Sequence, residues 1–292
     1  MAKSSDYDQR ILNLFDGYVH GTLSRRQFID KAAAFTAAGV SAATVFASLS
    51  PNYALAQQVS PDDKSITTDY KKYASPKGAG EMRGYYARPA VHEHKLPGVV
   101  VVHENRGLNP YIEDVARRLA VAGFIAFAPD ALWPLGGYPG NDDEGRVLQR
   151  QRDSDEMVED FVAAVGFLQQ HPDCTGSVGA VGFCFGGGMV QRLAVRIPDL
   201  GASVPFYGRH PAPEEAAAIK APLMLHHGGL DERVNASWPA FREALDESGN
   251  DYTEFTYKDA NHGFHNDTTP RYDEDAASLA WRRTIEHFTE HL

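Results

Sequence analysis

From residue 98 onwards the apolar positions fall into two alternating rhythms. Gly98-Val99-Val100-Val101-Val102-His103 is an unbroken apolar run, the pattern of a strand buried on both faces of a parallel sheet. Shorter runs of the same kind recur at Phe124–Ala128, Ser177–Phe183, Ala202–Tyr207 and Pro222–His226, with a late strand at Asp251–Tyr257. Between and after them, Asn109–Ala122, Asp155–Gln170, Gly187–Ile197, Ala236–Glu247 and Ala276–His291 carry helical periodicity, with Gly123 and Gly249 as stops. Strand alternating with helix predicts an α/β fold with a mostly parallel central sheet flanked by helices and joined by right-handed crossovers. Upstream, Ser65–Tyr73 and Glu81–Pro89 alternate about a Ser75–Gly80 turn signal, which predicts an antiparallel pair at one sheet edge. Ala131–Arg150, rich in Gly and Pro, breaks the rhythm and reads as a long loop at the carboxyl end of a strand. Open α/β sheets place their sites at such ends.

Residues 1–57 follow another plan. Ser24-Arg25-Arg26-Gln27-Phe28-Ile29, the alanine-rich stretch Ala32–Leu49 and Ala54-Leu55-Ala56 together resemble a twin-arginine export signal with its cleavage site. The same residues also read as a retained helical arm. Asp6–His20 is amphipathic, Gly21 stops it, and Ser24 with Gln27 forms a capping box for a second helix. The first reading places the mature protein in the periplasm. The second keeps it in the cytoplasm, with an arm that packs on its own domain or makes a homodimer with a second subunit. Gly39, Ser41, Thr44 and Ser48 dilute the apolar stretch too far for a membrane span. Gln57–Lys64 is a polar linker, and from residue 58 to 292 the chain reads as one domain.

Composition adds exclusions. A formal net charge of −11 and the lack of any basic cluster longer than two residues argue against a nucleic-acid partner. No metal site or cofactor is expected. His226 and His227 are adjacent rather than at ligand spacing, and Gly186-Gly187-Gly188 has no acidic residue placed for a ribose. If Val178–Cys184 is one strand, Cys174 precedes it and lies roughly 20 Å from Cys184 at about 3.3 Å per residue. A disulfide tolerates no more than about 7 Å, so Cys184 is expected as a free thiol.

The chemistry concentrates around that thiol. Gly182-Phe183-Cys184-Phe185-Gly186 ends a strand and opens a helix, and so matches the Gly-x-Ser-x-Gly nucleophile elbow of α/β-hydrolases with sulfur in place of oxygen. The turn strains the nucleophile's backbone and crowds the positions two residues either side, which leaves room there only for glycine. In that fold an acid and then a histidine follow the nucleophile. Asp231 lies just past the strand Pro222–His226 in Gly228-Gly229-Leu230-Asp231, and His262 lies in the loop after the last strand in Asn261-His262-Gly263-Phe264. Glu232 and His265 are their nearest alternatives. The order Cys184, Asp231, His262, with spacings of 47 and 31 residues, is the expected one.

Taken with Glu104 in Val102-His103-Glu104-Asn105-Arg106-Gly107, these motifs resemble the dienelactone hydrolase (carboxymethylenebutenolidase) family over roughly residues 80–291. The resemblance implies an α/β-hydrolase with a Cys184–His262–Asp231 triad and a glutamate, here Glu104, that contacts the resting thiol and assists its deprotonation. It implies an oxyanion hole from the backbone amides of Phe185 and Asn105. It also implies attack of a thiolate on a small lactone or ester, with hydrolysis of an acyl-enzyme. Tyr207 matches a pocket tyrosine of the family, and Trp133 and Tyr138 are candidates to line the pocket from the long loop. The family's arginine shortly after the histidine, which holds a substrate carboxylate, is replaced here by His265-Asn266-Asp267, and the next arginine is Arg271. A general carboxylesterase or thioesterase is therefore a competing expectation. A redox or binding protein with Cys184 as a sensor thiol is another.

Overall fold

The computed structural model describes residues 3–36, 39–55 and 57–292. Residues 37, 38 and 56 lie outside the described residues, and with them part of the alanine-rich stretch and the last alanine of Ala54-Leu55-Ala56.

Among the described residues three α-helices precede the sheet: α1 (Gln9–Val19), α2 (Arg25–Ala32) and α3 (Ala42–Leu49). Asp8 caps α1 by accepting from Arg10 N, and Ser24 and Gln27 form the expected capping box on α2. The apolar face of α1, set by Ile11, Leu12, Phe15 and Val19, packs on Phe28, Phe46 and Leu49 in a small core separate from those of the sheet. Among the described residues no helix is long and apolar enough to cross a membrane.

Eight strands follow among the described residues: β1 (Ile66–Ser75), β2 (Gly80–Pro89), β3 (Leu96–Val102), β4 (Ile125–Pro129), β5 (Cys174–Phe183), β6 (Ala202–Phe206), β7 (Leu223–Gly228) and β8 (Tyr252–Tyr257). They form one sheet in the order β1-β2-β4-β3-β5-β6-β7-β8. The β1–β2 and β2–β4 pairs are antiparallel and the remaining pairs parallel. The helices of this part are α4 (Pro110–Val121), α5 (Asp142–Gln149), α6 (Ser154–Gln169), α7 (Phe185–Arg196), α8 (Glu232–Asn235), α9 (Trp238–Ser248) and α10 (Glu274–His291).

Side-chain alternation divides the core in two. Val99, Val101, Val181 and Phe183 meet α4 and α10 on one face. Val100, Val102, Val178 and Ala180 meet α6, α7 and α9 on the other. Period-2 alternation within an apolar run is what lets one strand serve both cores.

Two expectations need correction. The stretch Ala131–Arg150 is not all loop, because it holds a 3₁₀ turn at Trp133–Leu135 and helix α5, capped by Asn141. Gly145 in the middle of α5 hides its periodicity, and it has a packing reason: a Cβ there would lie 2.3 Å from the Arg106 carbonyl oxygen. Cys174 opens β5 rather than preceding it. Both cysteines are nonetheless free and buried.

Charge is also buried outside the site. Asp114 on α4 is fully buried and accepts from Arg117 Nη2 at 3.2 Å, Arg118 Nε at 2.7 Å and the Val59 amide at 3.0 Å. This network ties the linker to the domain.

Candidate active site

β5 ends at Phe183 and α7 begins at Phe185, so Cys184 makes the whole connection. Its backbone sits at φ 57°, ψ −110°, a conformation that costs an L residue roughly 1–3 kcal/mol. The close approach around it explains the flanking glycines. A Cβ on Gly182 would lie 2.1 Å from the Gly186 carbonyl oxygen, and one on Gly186 would lie 2.1 Å from that of Val102. Position 184 therefore projects a buried thiol at the carboxyl edge of the sheet, over the first turn of α7. A helix amino terminus favours a thiolate there.

Asp231 and His262 converge on this point from β7 and β8. Asp231 caps the short helix α8 with one oxygen, accepting from Val234 N at 3.2 Å, and accepts from His262 Nδ1 at 2.5 Å with the other. Capping and orientation are thus one role: the helix turn holds the carboxylate, and the carboxylate holds the ring. His262 Nε2 is then left free, buried and without a hydrogen-bond partner among the described residues. Burial opposes charge on His262, yet Asp231, the thiolate of Cys184 and Asp16 raise it to about 10. Burial likewise opposes ionisation of Cys184, but His20 and His262 outweigh it and hold the thiol well below its ordinary range. Both shifts run in the direction that favours a thiolate on Cys184 and an imidazolium on His262.

Glu104, just past β3, is buried and accepts from Asn266 Nδ2 at 3.0 Å, with Arg106 Nη1 3.8 Å away. Burial raises its carboxyl; Arg106 opposes the rise, and the Cys184 thiolate adds to it. The guanidinium of Arg106 leans more closely on Asp142, at 3.0 Å. The Asn105 side chain donates to the Val19 carbonyl at 2.9 Å. Phe185 is the first residue of α7, where amides lack an intrahelical acceptor.

The pocket candidates separate. Tyr207, at φ 38°, is buried with its ring 5.0 Å from that of His262. Tyr138 donates to Asp142 at 3.0 Å and sits edge-on to Tyr53, further along the loop. Trp133 lies at the β1–β2 edge, beneath the cations of Arg83 and Lys72.

Sequence reasoning passed over His20, Asp16 and Arg233. His20 follows α1, and its Nε2 lies 3.2 Å from Cys184 Sγ, making it the hydrogen-bond partner of the sulfur. Its Nδ1 is 3.1 Å from Asp16, which in turn pairs with Arg233 at 3.2 Å and faces Arg271 at 3.8 Å. The i, i+4 spacing of Asp16 and His20 shows that they share a helix face; nothing local reveals what the face meets. Ligand atoms of His20, Cys184 and His262 lie within 4.8 Å of one another, the one group among the described residues close enough to hold a metal ion. Arg233 Nη2, 2.9 Å from His20 Nε2, sets a positive charge against a cation at that point.

A mostly parallel eight-stranded sheet with a strained elbow after its central strand defines an α/β-hydrolase. Comparison with known proteins narrows this. The model of the dienelactone hydrolase family matches residues 82–292, and a separate model described as YqhI-like matches residues 1–37. A "putative hydrolase fragment YghX" of Escherichia coli K12 is 61% identical over 114 residues, 39% of this chain and 97% of its own. A "probable 2-oxo-3-(5-oxofuran-2-ylidene)propanoate lactonase" of Bradyrhizobium is 32% identical, covering 73% of this chain and 91% of its own. The crystal structure of a "putative dienelactone hydrolase" from Klebsiella pneumoniae aligns with a TM-score of 0.67 at 25% identity, over 76% of this chain and 99% of that one. The chain belongs to the dienelactone hydrolase family and is a hydrolase.

Proposed function

We propose that the protein hydrolyses a small lactone or carboxylic ester through an acyl-enzyme on Cys184. The observation that carries this reading is a thiol in a strained elbow, held below its ordinary range beside a histidine that Asp231 orients. The Cys184 thiolate adds to the carbonyl carbon. The oxyanion is received by the backbone amides of Phe185 and Asn105, and its collapse breaks the acyl C–O bond. His262 gives its proton to the departing alkoxide, which in a lactone stays tethered to the acyl group. Water then attacks the thioester, His262 takes the water proton, and the carboxylate product leaves as the thiolate returns. Glu104, raised by burial, would be the additional carboxyl of the site; the contact with the resting thiol that the family resemblance implies is not made, since Glu104 bonds Asn266 and the sulfur bonds His20.

A carboxylate on the substrate fits the site. Arg271 is buried, its Nε and Nη1 make no hydrogen bond among the described residues, and its guanidinium lies over Gly263 next to His262. It takes the place of the arginine missing at residues 265–267. The lactone named for the Bradyrhizobium relative also carries a carboxylate.

Intact-mass analysis during turnover of a short ester tests the mechanism. The mass of one acyl group on wild-type protein, absent from Cys184→Ala together with activity, is expected. Full activity in Cys184→Ala would end the proposal. Comparing a carboxylated lactone with neutral short esters tests the substrate class. An Arg271→Met variant that loses no preference for the acid would leave a general esterase as the better reading.

A further inference from the structure

The cavity beside the catalytic histidine does not reach the nucleophile. About 370 Å³ in volume, it is lined by Leu12, Asp16, Arg233, His262 and Arg271 among others, with Cys184 absent from its walls. His20 lies on the sulfur instead. Asp16 puts a carboxylate between Arg233 and Arg271. A carboxylate beside two guanidiniums and a group on the sulfur are what a bound acidic ester would present to this site.

The segment that supplies both is built as a detachable unit. Its apolar residues close on one another, with Phe28 fully buried among Ile11, Phe15, Phe46 and Leu49. It meets the domain largely through polar contacts. Gln9 bonds Asn261 at 2.5 Å, the Val19 carbonyl accepts from Asn105, and Tyr18 accepts from Arg146 at 2.9 Å. The ion pairs of Asp16 with Arg233 and Arg271 cross the same seam; they are partly buried, so salt weakens them only in part. The dienelactone hydrolase match begins only at residue 82, so the family's catalytic unit is matched without this segment.

We infer that the amino-terminal segment is an intramolecular occupant of the active site, with Asp16 in the anion position and His20 over Cys184, and that α1 lifts off the domain before substrate enters. The inference rests on the reading of Cys184 as nucleophile. It makes the segment a competitor of carboxylated substrates. Such a closed state lowers the apparent reactivity of the site by the fraction of molecules that are open.

The test is alkylation of Cys184 by iodoacetamide in the full-length protein, read at the Cys184 peptide by mass spectrometry. Rates are taken at the high-pH plateau, where thiolate content is equal in all variants. Wild type is compared with Asp16→Ala and His20→Ala, and wild type is also followed across a salt series. The expected result is a rise of about tenfold in both variants, the size given by a tenfold larger open fraction, with a parallel rise in kcat/KM for a carboxylated ester. Acceleration by salt in wild type is expected too, and does not depend on the folding of any variant. Alkylation that is unchanged or slower in both variants and flat with salt would overturn the inference. So would an unchanged plateau rate with a fall in kcat for His20→Ala, since His20 would then be a catalytic group. Activity surviving in Cys184→Ala would instead defeat the nucleophile reading, and the alkylation comparison would still report on the occupant.

Discussion

The charge state of Cys184 is the most exposed point of the mechanism. His262 is lifted from about 6.5 to about 10, which corresponds to roughly 5 kcal/mol of net stabilisation of its imidazolium at 1.36 kcal/mol per pH unit. That net figure remains after burial has been offset, and Asp231, Cys184 and Asp16 supply it. If the thiolate's share is a third to a half, it is about 2 kcal/mol, and coupling between two sites acts equally on both. Removing the imidazolium in His262→Ala should therefore raise the Cys184 thiol by roughly 1–2 pH units. The assay is the ultraviolet absorbance of the thiolate against pH, read as the difference from Cys184→Ser so that tyrosines cancel. Wild type should show a full thiolate at pH 7 that disappears only on strong acidification. The linked stability has a definite sign. The thiol is lower in the folded chain, so its contribution is present above about 8.5 and is lost as pH falls through its folded value. The histidine is higher, so its contribution is complete below about 6.5 and is lost as pH rises through about 10. Between about 6.5 and 8.5 the proton lost by Cys184 is matched by the one gained by His262, so the two contributions together leave wild-type stability flat with pH, whereas Cys184→Ser, which keeps only the histidine's gain, should lose stability as pH rises through this window. A wild-type thiol titrating near 8.5, or a His262→Ala thiol that does not move, would refute the ion-pair argument.

Two further perturbations test the frame around the site. Gly186→Ala would set a Cβ 2.1 Å from the Val102 carbonyl oxygen and 2.8 Å from that of His103, so the elbow must shift away from β3. Overpacking of this kind costs about 1–3 kcal/mol, and a lower melting temperature with lost activity is expected; a wild-type melt with full activity would contradict the close approach. Asp114→Ala would leave Arg117 and Arg118 buried without their shared carboxylate, and unfolding in denaturant should show a loss of about 3–5 kcal/mol. A loss below about 1 kcal/mol would place the pair among ordinary surface bridges.

The parts of this molecule that were legible in its sequence are those that local patterns dictate. Continuous apolar runs become β3 to β7 because a strand covered on both faces tolerates nothing else. The elbow was legible for the same kind of reason: glycine at positions 182 and 186 answers a clash with backbone only 2.1 Å away. Helix α5 was not legible, since Gly145 answers a tertiary contact with Arg106 and in doing so erases the helical pattern. His20 shows the deeper limit. Its spacing from Asp16 is readable, but its partner lies 164 residues away. That contact exists because Asp16 meets arginines from α8 and from the loop before α10. Complementary charge of this sort leaves no period in either segment, whereas the strain at Cys184 leaves a glycine on each side. Geometry that the backbone imposes at the elbow is therefore readable along the chain, and the group that covers the Cys184 sulfur becomes visible only when the two segments are seen together.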